Sequence, residues 1–195
     1  MGTVRIISGR YRGRRLRVPD EEGLRPTTDR VRETLFNWLQ FRLNGVRCLD
    51  LFAGSGALGL EAASRFAGQV VMTDRNPRAV GSLQENVRIL GCTNVTVTQT
   101  DALQLVSRKC LEPYDVVFLD PPYHRDLLEA AARGLEDHGF LREGSLIYVE
   151  HSADESPALP ASWQLFRSGS AGQCRFALYE VHRGDPAAGA AEPGS

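Results

Sequence analysis

The stretch that decides the fold is LDLFAGSGALG, residues 49–59. Its apolar start predicts a buried strand, and the residues that follow the second glycine predict a helix. Gly54 and Gly56 allow a tight turn and the close approach of a ligand, and Gly59 allows the helix to pack closely on the sheet. A strand that passes through a glycine turn into a helix is the building unit of a parallel α/β sheet. Taken alone, this glycine pattern could bind any dinucleotide.

Strands and helices alternate along the chain around this unit. The apolar periodicity predicts strands over 46–51, 70–73, 95–100, 115–119 and 145–150, and helices over 56–66, 77–90, 101–110 and 126–138. Repeated β-α units produce a mostly parallel sheet with right-handed crossovers and helices on both faces. Two final strands, 163–167 and 174–181, predict an antiparallel hairpin at one edge, and the connection 151–162 shows no clear helix.

A β-hairpin is predicted ahead of this sheet. Val4 and Ile6, and then Leu16 and Val18, alternate with polar residues on the two sides of a glycine-bounded turn over 9–13. The exposed face and the tip of this hairpin would carry arginine. The sequence therefore predicts a basic extension in addition to the sheet.

Composition divides the chain into three parts. Residues 20–23 (DEEG) predict a linker, and Thr28 is a suitable N-cap for a helix that should end near 44–45. We expect the hairpin and linker over 1–24, the sheet domain over 25–183, and a Gly/Ala/Pro-rich, disordered tail over 184–195.

Charge is distributed unevenly along the chain. Residues 1–32 contain nine arginines and four acidic residues, although the formal net charge of the whole chain is −1. A cationic end on an otherwise acidic protein indicates a surface directed at a polyanion, and aromatic rings interleaved with guanidinium groups favour nucleic acid. A solvated basic hairpin is the simpler alternative. We predict that the nucleic acid is contacted by Arg10, Tyr11, Arg12, Arg14 and Arg15.

A second informative stretch is VVFLDPPY, residues 116–123. Its apolar half predicts a buried parallel strand, and ligands of open α/β sheets bind outside the carboxyl ends of the strands. Asp120 and the carbonyl group of Pro121 supply hydrogen-bond acceptors on a stiff turn, and Tyr123 supplies a ring on which a planar group can stack. This corner suits a flat molecule that carries an NH₂ group, such as a nucleobase. We assign Asp120, Pro121 and Tyr123 as the catalytic residues; a proline turn with a surface acid is the alternative.

Further acidic residues at strand ends indicate the cofactor. Asp74 lies 20 residues after Gly54, where it can accept both hydroxyl groups of an adenosyl ribose, and Asp101 with Ala102 could meet an adenine edge. Asp50, just before the glycine turn, would repel a pyrophosphate and attract the ammonium group of a methionine-derived ligand. These acids with Gly54 and Gly56 therefore fit S-adenosylmethionine (AdoMet) better than NAD.

These motifs together resemble those of a known family. The segment 50–56 with Asp74, Asp101 and 120–123 resembles class I AdoMet-dependent amino-methyltransferases. The segments 5–14 and above all 25–37 (RPTTDRVRETLFN) more specifically resemble the bacterial small-subunit ribosomal RNA guanine methyltransferases of the RsmD type, and the resemblance extends over about residues 4–182.

The resemblance implies a Rossmann-like, seven-stranded sheet and methylation of a guanine exocyclic amine in 16S rRNA, at position 966 and atom N2, during maturation of the small subunit. It also implies that segment 25–32, with Thr28, packs over the cofactor and that Phe52 belongs to the cofactor-binding motif. The sequence does not decide between free rRNA and a partly or fully assembled subunit as the substrate.

Three other functions fit the sequence less well. Asp-Pro-Pro-Tyr also occurs in DNA amino-methyltransferases, but 195 residues leave no room for a separate target-recognition domain. Protein glutamine methyltransferases typically carry Asn in place of Asp120 and have little use for an arginine-rich hairpin. A non-catalytic RNA-binding module would not need the acids at 50, 74, 101 and 120.

Bulk composition sets the remaining expectations. A chain of 195 residues with 42% hydrophobic and 24% charged residues fits one globular domain. Its four scattered cysteines and the lack of an apolar signal segment predict a reduced, cytoplasmic protein without structural zinc. We expect a monomer that does not bind membranes and needs no metal.

Overall fold

The structure, a computed structural model, describes residues 2–18, 28–122 and 125–184. The described elements, in chain order, are β1 (Gly2–Arg5), β2 (Arg15–Val18), α1 (Asp29–Trp38), β3 (Arg47–Asp50), α2 (Ala57–Ser64), β4 (Gln69–Asp74), α3 (Pro77–Leu90), β5 (Val95–Gln99), α4 (Ala102–Val106), β6 (Tyr114–Leu119), α5 (Arg125–Asp137), β7 (Leu141–Ser152), β8 (Trp163–Ala171) and β9 (Cys174–Val181). The predicted linker at 20–23, segment 25–27, Tyr123 and the tail from 185 lie outside the described residues.

Seven strands form one sheet in the order β5-β4-β3-β6-β7-β9-β8. The first five are mutually parallel, and β9 pairs antiparallel with both β7 and β8. The strand order reverses beside β3, where β4 and β6 flank the strand that precedes the glycine turn. The predicted α/β fold, with a mostly parallel seven-stranded sheet and a C-terminal antiparallel hairpin, is confirmed.

Each face of the sheet has its own hydrophobic core. Phe118 points to the face covered by α1, α2 and α3, where it contacts Phe36 with ring centroids 6.0 Å apart. Its neighbours Val117 and Leu119 point to the opposite face, which α4 and α5 cover. Successive side chains of a strand alternate between faces, so the buried strands need apolar residues at every position.

The N-terminal hairpin, β1 and β2, packs on the outside of α2 and α3. Buried Glu61 of α2 accepts hydrogen bonds from the backbone N–H groups of Ile7 (2.7 Å) and Ser8 (3.0 Å). Asn86 of α3 accepts from the N–H of Arg17 and donates to its carbonyl group, at 3.0 and 2.9 Å. Because helix side chains satisfy its backbone groups, the predicted hairpin forms a second layer on this face.

Three helices end earlier in the chain than the sequence predicted. Helix α1 ends at Trp38 rather than near 44–45, and the chain turns over 39–42, where Arg42 N–H bonds to the Leu39 carbonyl. Leu39 and Leu43 are buried by the tertiary core, so their apolar character was no sign of helix. Helix α2 ends at Ser64 rather than 66, and α4 ends at Val106 rather than near 110.

Two strands, β7 and β8, extend four or more residues beyond their predicted bounds. Strand β7 begins at Leu141 rather than 145, and the β6–β7 pairing is irregular between Tyr114 and Val116, where the Ser145 hydroxyl donates to the Tyr114 carbonyl (2.7 Å). Strand β8 continues to Ala171 because it stays paired with β9 up to their shared turn. None of the helices in the described part of the chain is long and apolar enough to span a membrane.

Candidate active site

Four predicted acids lie at or just after the carboxyl ends of neighbouring strands. In the sheet order β5-β4-β3-β6 these are Asp101, Asp74, Asp50 and Asp120. With strands about 4.8 Å apart, this acid row extends over about 14 Å. The topology therefore brings together, at one edge of the sheet, residues that are up to 70 positions apart in the chain.

Asp74 is fixed by the glycine turn. Its Oδ2 accepts a hydrogen bond from the N–H of Gly54 (2.9 Å), and its Oδ1 accepts one from the N–H of Asn76 (2.8 Å). The side chain is half-buried, so both oxygens are held in place while part of the carboxylate faces the edge of the sheet. This position fits the predicted role of binding a pair of hydroxyl groups.

Asp50 is enclosed, with an exposed fraction of 2%. Its Oδ2 accepts from the N–H of Gly59 (2.8 Å), in the first turn of α2. Burial raises the pKa of Asp50 to about 7, the Gly59 N–H opposes this rise, and the negative charge of Asp74 adds to it. Asp50 thus stabilises the turn between β3 and α2 through its hydrogen bond to Gly59, and it lies close enough to Asp74 for the two charges to interact.

Two glycines near the turn lie against other side chains, which fits the close packing predicted at Gly59, whereas the approach of a ligand at Gly56 stays a prediction. Gly56 has φ of +77°, and a Cβ there would lie 2.5 Å from the side chain of Leu83. A Cβ on Gly59 would lie 2.6 Å from the Met72 sulfur and 3.0 Å from Asp50 Oδ2. Helix α2 therefore packs against β4 and α3 with no room for a side chain at these two positions.

The other predicted cofactor residues surround this turn. Asp101 is the N-cap of α4, where its Oδ1 accepts from the N–H groups of Leu103 and Gln104, and Ala102 is buried. Phe52 is half-buried and packs on the core under α4 and α5. Thr28 is the N-cap of α1, as predicted, and its Oγ1 accepts from the Val31 N–H at 3.4 Å. Asp101, Phe52 and Thr28 therefore each have a structural role as well: two of them cap helices, and one packs on the core.

The predicted catalytic corner directly follows β6. Asp120 is half-buried and Pro121 is buried, whereas Pro122 is exposed. Asp120 lies on the same face of the sheet as Phe118, two positions earlier, and so on the side of the α1–α3 layer. Tyr123 lies outside the described residues, and its stacking role stays a prediction.

Sequence reasoning missed a buried acid beside Asp120. In the β6–β7 pairing Leu119 lies opposite Val149, so Glu150 is the neighbour of Asp120 on the next strand. Glu150 is buried and accepts from the Tyr148 hydroxyl (2.9 Å) and the Cys174 thiol (3.1 Å). The signal was available, because 150 ends a predicted strand just as the four chosen acids do.

The Tyr148 hydroxyl lies within the field of both acids. Burial raises its pKa well above the ordinary value, and the charges of Glu150 and Asp120 raise it further. The phenol therefore remains protonated and acts as a hydrogen-bond donor at neutral pH. Its presence gives the acidic end of β6 and β7 a neutral donor group that no sequence motif indicated.

The predicted nucleic-acid contacts lie elsewhere. Arg10, Arg12, Arg14 and Arg15 are exposed and Tyr11 is half-buried, all at or beside the tip of the hairpin. The tip is fixed to the C-terminal end of α2, where the Arg10 and Tyr11 N–H groups bond to the carbonyl and hydroxyl oxygens of Ser64 at 2.8 and 3.0 Å. The structure thus keeps these residues together but separates them from the acid row.

The residues at the glycine turn have side chains that suit the functional groups of AdoMet. Two carboxyl groups, Asp50 and Asp74, flank the turn, and the negative charge of Asp74 contributes to the raised pKa of Asp50. The half-buried Asp74 carboxylate favours a cationic ligand and disfavours the pyrophosphate of a dinucleotide. Asp74, anchored by Gly54, would hold the ribose, and Asp101 with Ala102 would border the adenine.

Comparison with known proteins agrees with this geometry. Residues 4–180 match the family described as Conserved hypothetical protein 95. Ribosomal RNA small subunit methyltransferase D of Escherichia coli K12 is 47% identical over 180 residues, which cover 92% of this chain and 90% of that protein. The chain belongs to the methyltransferase D family.

Solved structures extend the methyltransferase D comparison to the fold. A putative methyltransferase from Escherichia coli superposes with a TM-score of 0.87 at 44% identity, covering 93% of this chain and 99% of that one. An RNA methyltransferase from Salinibacter ruber, solved with S-adenosyl-L-homocysteine, shares the fold with a TM-score of 0.64 at 16% identity, covering 83% of this chain and 97% of that one. The predicted family, the predicted fold class and the predicted cofactor, AdoMet, are confirmed.

Proposed function

We propose that this protein transfers a methyl group from AdoMet to the exocyclic N2 amine of a guanine in 16S rRNA. The observation that carries the proposal is the position of Asp120 in the acid row, two strands from Asp74 and directly before a buried proline. The name of the Escherichia coli relative, a ribosomal RNA small subunit methyltransferase, supports the choice of substrate. The resemblance of segment 25–37 supports guanine N2, at position 966.

Binding of the cofactor falls to the glycine turn and its acids. The backbone of the turn, with positive φ at Gly54 and Gly56, is the part that the cofactor approaches closely, and the fixed Asp74 carboxylate accepts the ribose hydroxyl groups. When bound, AdoMet supplies a methyl group made electrophilic by the positive charge on sulfur. The Asp74 carboxylate attracts that cationic ligand, and Asp50 adds to the attraction in its ionised form.

Binding of the target amine falls to the corner after β6. The lone pair of an aryl amine is delocalised into the ring, so the amine is a poor nucleophile. The Asp120 carboxylate and the Pro121 carbonyl group accept its two N–H bonds, which draws the nitrogen toward tetrahedral geometry and directs its lone pair outward. Tyr123 stacks on the base. Such alignment can lower the barrier by roughly 7–11 kcal/mol.

Proton transfer then completes the reaction at Asp120. Methylation leaves a positive charge on the nitrogen, and the neighbouring carboxylate stabilises that charge as it develops. The methylated amine is acidic and loses one proton to Asp120 or to water, so a strong base is not required. To enter this site, the target base must leave its stack in the RNA.

The first test separates methyl transfer from cofactor binding. We expect Asp120→Ala to lower turnover by about 100-fold or more, because an acceptor for the amine is removed, while the AdoMet Kd from calorimetry stays near that of the wild type. We expect Asp74→Ala to do the reverse, with a raised Kd for AdoMet and turnover recovered at saturating cofactor. Weakened AdoMet binding by the Asp120 variant with normal turnover at saturation would refute the assignment.

The second test identifies the substrate. The protein would be incubated with tritiated AdoMet and, separately, with free 16S rRNA, small ribosomal subunits, plasmid DNA and a protein extract. We expect label in rRNA or subunits only, and nucleoside mass spectrometry should identify N2-methylguanosine. Label in plasmid DNA would instead support a DNA amino-methyltransferase, and label in a base other than guanine would contradict the N2 assignment.

A further inference from the structure

The basic hairpin tip lies at the opposite edge of the sheet from the acid row. Helix α2 begins at the glycine turn and ends where the chain approaches β3, since the N–H of Gly45 bonds to the Phe66 carbonyl (2.9 Å). Arg14 donates to the carbonyl of Ile89, in the last turn of α3, whereas Asp74 lies before the first turn of that helix. A helix of 14 residues is about 20 Å long, which sets the approximate separation.

An exposed aromatic residue with unusual backbone geometry lies at this distal edge. Among the described residues other than glycine, Phe66 alone has a positive φ, +70°. Phe66 takes the left-handed conformation just after α2. Gly91, which has φ of +66°, takes the same conformation just after α3. The left-handed conformation is unfavourable for a residue with a bulky side chain, so such an outlier points to a function for that side chain.

Packing does not explain the choice of phenylalanine. The residue is 53% exposed, and its described ring contact is the guanidinium group of Arg10, whose carbon lies 5.9 Å from the ring centroid. The helix end itself is secured by the backbone, because the N–H of Ala67 bonds to the carbonyl of Ala62 (3.1 Å). A glycine would satisfy the turn with less strain.

Most of the arginines near Phe66 can bind an anion. Arg65 is occupied, since it bonds to buried Glu61 at 2.7 Å. By contrast, no ion pair within the described ranges involves the exposed arginines of the hairpin tip, Arg10, Arg12, Arg14 and Arg15. An exposed ring beside uncompensated guanidinium groups is the arrangement that binds single-stranded nucleic acid, by base stacking and phosphate contacts.

We propose that Phe66 and the hairpin arginines form a distal RNA-binding site, in which an unpaired base of the substrate stacks on Phe66 and its phosphates contact Arg10 and its neighbours. This inference rests on the proposed function for the identity of the RNA. The distal site binds the RNA about 20 Å from the acid row, where the target guanine would be methylated. This distance corresponds to about six nucleotide steps of a stacked strand. It therefore contributes to RNA affinity without touching the reacting atoms.

Phe66→Gly is the test variant, because glycine suits the positive φ and the fold should keep its Tm. We expect the Kd for a 16S rRNA transcript, measured by filter binding, to rise about fivefold or more, the effect of losing one stacked base. Phe66→Tyr should bind as the wild type does. Leu165→Ala on β8 is the matched control, since Leu165 is similarly exposed (59%) and should leave the Kd unchanged.

Kinetics and footprinting separate this site from the active site. We expect Phe66→Gly to raise KM for the RNA while kcat and the AdoMet Kd stay unchanged, and to lose hydroxyl-radical protection at nucleotides away from the target. An unchanged Kd, or a fall in kcat at unchanged KM, would overturn the distal site. If the wild type methylates no guanine, the proposed function fails, but the filter-binding comparison still decides on the distal site.

Discussion

At the scale of single residues, the acids at the strand ends differ in burial and in pKa, although each was predicted from the same pattern, an acid that ends an apolar strand. Asp74 is half-buried and held by backbone N–H groups, whereas Asp50 is almost fully enclosed and has a pKa of about 7. Desolvation disfavours the charged form of a carboxyl group, so depth of burial separates the two. Equivalent positions in a sequence pattern therefore acquire different protonation behaviour.

This difference predicts a pH dependence of stability. The folded pKa of Asp50, about 7, lies above its ordinary value of 3.8, so between these values only the unfolded chain releases the proton. The group's contribution to stability is therefore complete below about pH 4 and lost as the pH rises to about 7. We expect Asp50→Asn to gain up to about 4 kcal/mol relative to the wild type over this range.

Urea unfolding of both proteins at pH 5, 6, 7 and 8 measures this effect, because other titrating groups cancel in the difference. The amide oxygen of the variant can still accept from the Gly59 N–H, so the local hydrogen bond is retained. A stability difference that does not vary between pH 5 and pH 7 would show that Asp50 ionises normally in the folded protein.

At the scale of elements, helix α2 is held unusually close to its neighbours. All eight of its residues are buried, and Gly59 allows β4 to approach it. The helix is covered by the sheet on one side and by the hairpin on the other, which accounts for its apolar sequence. Its close packing fixes the glycine turn at its N-terminus, and with it the proposed cofactor site.

Two glycine substitutions in helices test this packing. Gly59→Ala would place a Cβ 2.6 Å from the sulfur of buried Met72, and we expect a loss of about 1–3 kcal/mol. Gly81→Ala on α3 is the matched control, because no atom lies within 4 Å of its Cβ and the helix gains about 0.5–1 kcal/mol. Thermal unfolding would compare them; equal shifts in Tm would contradict close packing at Gly59.

At the scale of the whole molecule, a buried ion pair is one of the contacts that hold the hairpin on the sheet domain. Glu61 is fully buried and binds Arg65 and two backbone N–H groups of the hairpin, Ile7 and Ser8. A buried carboxylate is stable only while such partners compensate its lost hydration. The position of the proposed RNA-binding surface therefore depends on this acid of α2, together with Ser64 and Asn86.

Glu61→Gln should release the hairpin. An amide cannot accept from all three donors, and Arg65 loses its counter-charge, so we expect a loss of about 3 kcal/mol and faster tryptic cleavage within the arginine-rich residues 2–18. Glu85→Gln, which breaks the exposed pair with Arg88, is the control and should change neither property. Equal cleavage rates for the two variants would show that Glu61 does not hold the hairpin.

Much of this architecture was predictable from the sequence. The alternation of strands and helices, the glycine turn and the acids Asp74 and Asp120 were recognised because each is a local pattern of a few residues. Errors occurred where apolar residues served the tertiary core rather than a helix, as with Leu39 and Leu43 after α1. Glu150 was missed although it ends the predicted strand 145–150; in the structure β7 continues to Ser152.

By itself, the sequence determined which elements form and which residues end the strands, because periodicity, caps and turns act over short distances. The tertiary structure alone decided that the acids form one row, that Asp50 is enclosed, and that the basic tip lies at the opposite edge with Phe66. These features depend on strand order and on contacts such as Ile7 with Glu61, 54 positions apart. No local pattern encodes such pairings, since they arise only when distant segments bury their surfaces together.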